Sequence, residues 1–92
     1  MRITYFYLAS CPHCRRCNTL IDEIIAEDPK YAAVQFERIE ESRNPSIAER
    51  YDYWYVPCFF LDDEKLMEGV PTKEKVKAAM DAVAEILGEM IK

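Results

Sequence analysis

Cys11-Pro12-His13-Cys14 sets two thiols three residues apart, and a third follows at Cys17. Thiols at this spacing do one of two kinds of chemistry: they exchange with disulfides, or they hold a soft metal. The pair follows an apolar, strand-like run and opens a helix, a setting that favours the redox reading. Cys11 falls just before the first helical turn, where unpaired backbone N–H groups and the positive end of the dipole favour a thiolate over a thiol. Pro12 suits the first helical position, which needs no N–H donor. Cys14 lies on the same helical face and can close a disulfide with Cys11 at little geometric cost.

The metal alternative stays open. Cys11, Cys14 and Cys17 form a C-x-x-C-x-x-C run, and Cys58 directly follows Pro57. Four converging thiolates would suit Zn or an iron–sulfur cluster. Against this, successive residues of a straight helix are turned by about 100°, so three thiols face one metal only if the first turn is irregular. Cys17 falls on the apolar stripe of its helix and also reads as a small core side chain. By proximity, Cys17 or Cys58 would modulate the dithiol through an alternative disulfide or a glutathione adduct.

The rest of the chain must position these residues. Its 92 residues suffice for one domain with a modest core, spanning 1–92. Half the residues are hydrophobic and 32% charged, a balance that excludes a disordered chain. The net charge of −5 and scattered Lys and Arg argue against nucleic acid, since Arg15-Arg16 is the only local basic pair near the motif. Met1-Arg2 leads straight into a short aromatic run unlike a signal segment, and no run approaches the ~18 apolar residues of a membrane span. A cytoplasmic monomer is expected, without membrane contact. There the four cysteines are free thiols rather than a disulfide framework.

Residues 2 to 8 read as a central strand, apolar on both faces. Pro12 to about Glu27 carries Cys14, Cys17, Leu20, Ile21, Ile24 and Ile25 at three- and four-residue spacing, an amphipathic helix ended by Pro29. Residues 33 to 39 read as an edge strand, parallel to the first through a right-handed crossover. Asn44 is the expected cap of a short helix from Pro45 to about Tyr51. An aromatic loop, Tyr53-Trp54-Tyr55, leads into a strand from Val56 to Leu61. A tight polar turn at 62–65 joins it to an antiparallel strand from about Lys65 to Val70, with Gly69 marking a bulge or a close backbone approach. Thr72 caps a last helix whose stripe is Val76, Ala79, Met80, Val83, Ile86, Leu87 and Met90.

This β-α-β-α-β-β-α order, with C-x-x-C at the first strand-to-helix junction and Val56-Pro57 opening the third strand, resembles the thioredoxin superfamily in its compact four-stranded form, glutaredoxins most of all. The resemblance covers essentially the whole chain. It implies an α/β fold with a four-stranded mixed sheet and helices on both faces. It also implies a thiol–disulfide oxidoreductase acting on protein or glutathione mixed disulfides, with a thioredoxin-like protein disulfide reductase as the alternative. Cys11 would be the nucleophile, Cys14 the resolving thiol, and Pro57 a proline held cis beside them, presenting the Val56 backbone to an extended peptide or to glutathione. Pro12 and His13 would tune the redox poise; a neighbouring imidazole stabilises a thiolate, and C-P-H-C is similar to the dithiol of strongly oxidising disulfide oxidases.

The resemblance also implies no bound cofactor, and regeneration by glutathione or a reductase. Arg15, with Arg16, would attract the glutathione carboxylate. Tyr55 and the Gly69 segment would line the substrate site, and Tyr53, Trp54 and Tyr55 would form an aromatic wall. The chain departs from both subfamilies. Tyr55 stands where glutaredoxins usually carry Thr, and Glu68-Gly69-Val70-Pro71-Thr72 lacks their Gly-Gly pair followed by an acid. Ser10 stands where thioredoxins carry Trp and, by spacing, Tyr5 where they carry a buried Asp.

Overall fold

The computed structural model describes residues 2–91, with side chains described as far as Gly88; Met90, predicted to belong to the last helix's apolar stripe, lies outside the described side chains. The first strand, β1 (Arg2–Tyr7), is rich in β-branched and aromatic residues and is buried from Ile3 to Phe6 on both faces. It pairs in parallel with β2 (Gln35–Glu40), from Arg2 opposite Gln35 to Tyr7 opposite Glu40. On its other side lies the antiparallel β3 (Cys58–Leu61), followed by β4 (Glu64–Glu68), so the sheet order is β2-β1-β3-β4.

Helix α1 (Pro12–Glu27) makes the crossover from β1 to β2 and buries Cys14, Cys17, Leu20, Ile21 and Ile24. These recur at helical spacing and form one stripe. Helix α3 (Lys73–Ile91) packs on the same face through Val76, Ala79, Met80 and Val83, closing a core with Ile3, Tyr5, Phe59 and Met67. Full burial of each large apolar side chain is worth roughly 1.5–3 kcal/mol, well above any helix-propensity difference, so packing rather than propensity holds both helices. Thr72 caps α3 as expected: its Oγ1 accepts the Lys75 N–H at 3.1 Å.

The opposite face carries Phe6, Ile39, Cys58 and Phe60, covered by Ile47, Ala48, Tyr51 and Tyr53. Its only helix among the described residues is α2 (Pro45–Ala48), a single turn shorter than the predicted span. The chain runs on to Tyr51 in tighter i→i+3 bonds, Arg50 N–H to Ile47 and Tyr51 N–H to Ala48. Asn44 stands at the N-cap of α2 as expected, its carbonyl accepting the Ile47 and Ala48 N–H groups, but its side chain makes no cap hydrogen bond. Its Nδ2 donates back to the Glu40 carbonyl at 2.9 Å, satisfying the end of β2 instead.

Other boundaries shift for local reasons. A 3₁₀ segment (Pro29–Ala33) takes in Ala33, the first residue expected in the second strand, and β2 begins at Gln35. Asp28 opens the segment by accepting the Lys30 N–H at 3.1 Å, and buried Tyr31 donates its hydroxyl to Asp81 of α3. The third strand begins at Cys58 rather than Val56, since Pro57 has no N–H for the ladder. The fourth ends at Glu68; the ladder irregularity lies between Phe59 and Phe60 and not at Gly69. Gly69 itself has φ +84, a conformation that favours glycine as the chain turns out of the sheet.

Candidate active site

One end of the sheet gathers three segments that are distant in sequence. After Tyr7 the chain makes a turn in which the Cys11 N–H donates to the Leu8 carbonyl at 3.1 Å, and α1 starts at once. Phe6 pairs with Cys58, so Pro57 lies beside the end of β1; Cys58 pairs with Glu68, which brings Gly69 to the far side of Pro57. The Gly69 N–H donates to the Pro57 carbonyl at 2.9 Å, and the Val56–Pro57 peptide bond is cis. Thus the dithiol segment, Val56-Pro57 and Gly69 meet at the carboxyl end of β1.

The two thiols of the motif differ in environment. Cys11 is half-buried and Cys14 is 1% exposed. Cys11, with extended backbone, is the residue before α1; its carbonyl accepts the N–H groups of Cys14 at 3.1 Å and Arg15 at 3.2 Å. Burial pushes the Cys14 thiol up to about 12, and a side-chain hydrogen bond with Cys11 adds to the rise. A reachable sulfur therefore sits one turn from a protonated, shielded one, which is the asymmetry that ordered disulfide exchange needs.

Tyr5 lies beneath them, fully buried. Its hydroxyl stands 2.9 Å from Asn18 Oδ1 and 3.2 Å from the Cys14 carbonyl oxygen, and Asn18 Oδ1 also accepts from Arg38 Nη1 at 2.7 Å. Burial drives the Tyr5 hydroxyl far above its ordinary value, so it acts as a neutral donor.

The remaining cysteines do not converge on the pair. Cys17 is sealed in the α1 core, where burial pushes its thiol up to about 11 against the opposing pull of the Tyr5 hydroxyl and Arg38. Cys58 belongs to the other layer, with Phe6 and Phe60, because successive residues of β3 point to opposite faces. The four thiols of the metal alternative therefore do not converge, and Cys58 is separated from the dithiol by the sheet. Burial raises its thiol to about 12. Among the described residues, no three His, Cys, Asp or Glu side chains are grouped to hold a metal ion.

Pro12, His13, Arg15 and Arg16 are exposed at the start of α1, and neither arginine side chain has an ion pair or hydrogen bond among the described residues. The expected aromatic wall divides in two. Tyr53 turns inward, stacked on Phe6 with ring centroids 4.9 Å apart and its hydroxyl donating to Glu41 at 2.5 Å. Trp54 and Tyr55 turn outward into solvent.

Two carboxylates that sequence reasoning missed tie the loops. Glu40 accepts the Ala9 N–H at 3.2 Å, ahead of the dithiol, as well as the N–H and hydroxyl of Ser42. Glu68 accepts the N–H groups of Trp54 and Tyr55 ahead of Pro57. Each is the last residue of its strand; that position beside a loop is the only signal they offered.

Residues 1–81 match a family described as a thioredoxin domain. A thioredoxin of Methanocaldococcus jannaschii is 31% identical over 80 residues, covering 87% of this chain and 92% of that one. Among solved structures, the oxidised thioredoxin of Plasmodium falciparum superposes with a TM-score of 0.68 at 16% identity, covering 90% of this chain and 80% of that one. Thioredoxin 1 of Thermosipho africanus does so with a TM-score of 0.62 at 19% identity, covering 96% and 99%. At these identities the structural likeness speaks for the fold.

Proposed function

The chain belongs to the thioredoxin family of thiol–disulfide oxidoreductases, and we propose that it reduces protein disulfides by dithiol exchange at Cys11 and Cys14. The observation that carries this reading is the half-exposed Cys11 beside a buried Cys14 whose thiol is raised to about 12. The Cys11 thiolate attacks one sulfur of a substrate disulfide, the substrate S–S bond breaks, and its other sulfur leaves as a thiolate that takes up a proton. Cys14 then loses its proton and attacks Cys11 Sγ, releasing the second substrate thiol. Two electrons have passed to the substrate, and the protein holds a Cys11–Cys14 disulfide. A reductase or glutathione returns it to the dithiol.

Val56 lies two residues before the first ladder residue of β3, outside the sheet, so its backbone is available to an extended peptide at the rim of the site. Pro57, Tyr55 and Gly69 frame the same rim, and Pro12 and His13 tune which redox state is favoured. The reading favours protein substrates over glutathione for two reasons: the relatives are thioredoxins, and the Glu68-Gly69-Val70 segment lacks the glutathione-holding pattern. Arg15 would serve an acidic group on either substrate. The proposal needs no bound cofactor and suits a cytoplasmic monomer; no described helix is long and apolar enough to cross a membrane.

Thiol titration of anaerobically purified protein, followed by assays on insulin and on a glutathione mixed disulfide, tests the reading. Reversible loss of two thiols, insulin reduction abolished by Cys11→Ser, and a trapped mixed disulfide in Cys14→Ser are expected. Stoichiometric bound Zn, or an insulin assay indifferent to Cys11→Ser, would overturn it.

A further inference from the structure

Among the described residues, three large apolar side chains stand in solvent: Trp54 at 83% exposure, Tyr55 at 69% and Val70 at 57%. All three adjoin the segments that meet at the dithiol end of the sheet, since Trp54 and Tyr55 precede Val56-Pro57 and Val70 follows Gly69. Their neighbour Tyr53 is packed on Phe6, so the loop is able to bury an aromatic ring and leaves these two outside.

The loop is also held. Glu68, at the end of β4, turns its carboxylate toward the loop before the proline. Oε2 accepts the N–H groups of both Trp54 and Tyr55, the latter at 3.0 Å, while Oε1 takes Lys65 Nζ at 3.0 Å. The Gly69 N–H bonded to the Pro57 carbonyl ties the next residue of the same strand end to the same loop. The two backbone donors hold the Glu68 carboxyl below its ordinary value, so the clamp stays charged at neutral pH. A backbone fixed in this way has its own ordering cost already met, which leaves only the rotamers of the two rings to be ordered on contact.

We propose that Glu68 is a positioning residue that holds Trp54 and Tyr55 out as a docking platform for apolar polypeptide flanking a substrate cystine, biasing the protein toward disulfides in extended chains over small disulfides. This rests on the dithiol reading above. The occupant follows from continuity: the platform is contiguous with Val56, so a strand laid along that backbone carries the residues next to the attacked half-cystine over the rings. Exposed indole and phenol faces gain most by covering apolar side chains. A small disulfide is too short to reach them.

The test compares kcat/KM on insulin with kcat/KM on hydroxyethyl disulfide. Trp54→Ala, at an exposed site that tolerates truncation, is expected to lower the insulin-to-small-disulfide ratio by about tenfold, through KM for insulin rather than kcat. Glu68→Ala is expected to lower it comparably, and Glu68→Gln, whose amide oxygen still accepts both N–H groups, to restore most of it. A ratio within about twofold of the wild type in both Trp54→Ala and Glu68→Ala overturns the inference, as does an equal loss on both substrates. A wild-type dimer in sedimentation that Trp54→Ala converts to monomer overturns it too, since the platform then belongs to a second copy. A wild type inactive on both substrates overturns the dithiol reading itself, whereas an active wild type with an unmoved ratio overturns only the platform.

Discussion

The Tyr5 hydroxyl lies 3.2 Å from the carbonyl oxygen of Cys14 and 2.9 Å from Asn18 Oδ1, so a central strand holds the first turns of α1 from beneath by a polar contact inside an apolar core. Arg38 extends the chain: its guanidinium donates to the same Asn18 oxygen and sits 5.4 Å from the centre of the Tyr5 ring. Tyr5→Phe keeps the ring and removes one buried donor. Asn18 retains Arg38 and the Cys14 carbonyl keeps its helical bond, so the loss is expected at about 1 kcal/mol. For a domain of this size that lowers Tm by about 4–8 °C. Thermal unfolding of reduced wild type and Tyr5→Phe measures it, and an unchanged Tm would show that the hydroxyl contributes nothing.

Thiol labelling separates the four cysteines. Cys11 is the only one not buried, while Cys14 and Cys58 are raised to about 12 and Cys17 to about 11. At pH 7 the thiolate fraction of each buried thiol is at most about one in ten thousand. Brief iodoacetamide treatment of the folded, reduced protein is therefore expected to modify Cys11 alone, with the others reacting only in denaturant. Peptide mass spectrometry reads the order; early modification of Cys17 or Cys58 would contradict the burial described for them. In the oxidised protein the same mapping is expected to find Cys11–Cys14 and no bond to Cys58, which faces the other layer.

The raised thiols also set a stability limit at alkaline pH. Each binds its proton more tightly folded than unfolded, so the native state carries more protons between the ordinary value of 9.0 and the raised ones. The stability they contribute is complete below pH 9 and is lost as pH rises toward 11 and 12. Each group costs about 1.4 kcal/mol per pH unit in that window, so three together remove roughly 4 kcal/mol by pH 10. That is a large share of the ~5–15 kcal/mol typical of a domain. Urea unfolding under reductant at pH 7, 9 and 10 is expected to be flat to pH 9 and to fall steeply beyond it. Stability unchanged at pH 10 would sink the argument.

Periodicity and punctuation made much of this legible from residues alone. The run from Ile3 to Phe6, the stripe Cys14, Cys17, Leu20, Ile21, Ile24 and the Thr72 cap are local signals, and each element stands where its pattern put it. The features that escaped depend on partners far along the chain. The 3₁₀ segment is held because Tyr31 finds Asp81, and the Asn44 side chain turns from its helix to the Glu40 carbonyl. Three consecutive aromatics look alike in sequence; only the stacking of Tyr53 on Phe6 distinguishes it from Trp54 and Tyr55. Cys58 adjoins Pro57 in sequence, but the alternation of a strand sends its side chain to the other face. Glu40 and Glu68 carried no motif at all, since a carboxylate that accepts N–H groups from a remote loop is defined by the sheet and not by its neighbours.

Glu40 supplies the last expectation. Its Oε2 accepts the Ala9 N–H two residues before Cys11, and its Oε1 accepts the Ser42 N–H at 2.7 Å and hydroxyl at 2.6 Å, so one carboxylate joins the approach to the dithiol with the turn after β2. The Ser42 hydroxyl, first, and the Ala9 N–H hold its carboxyl below the ordinary value. A depressed carboxyl stabilises the folded state above its unfolded value, about 4.3, and that contribution is lost as pH falls through the folded one. The Ala9 and Ser42 amide protons are therefore expected to shift together in an NMR titration, with a common midpoint below the usual glutamate range. In Glu40→Gln both titrations should vanish, and the single amide oxygen can keep only one side of the bridge, to Ala9 or to Ser42. Independent midpoints, or an Ala9 titration that survives Glu40→Gln, would mean that another group holds the approach to Cys11.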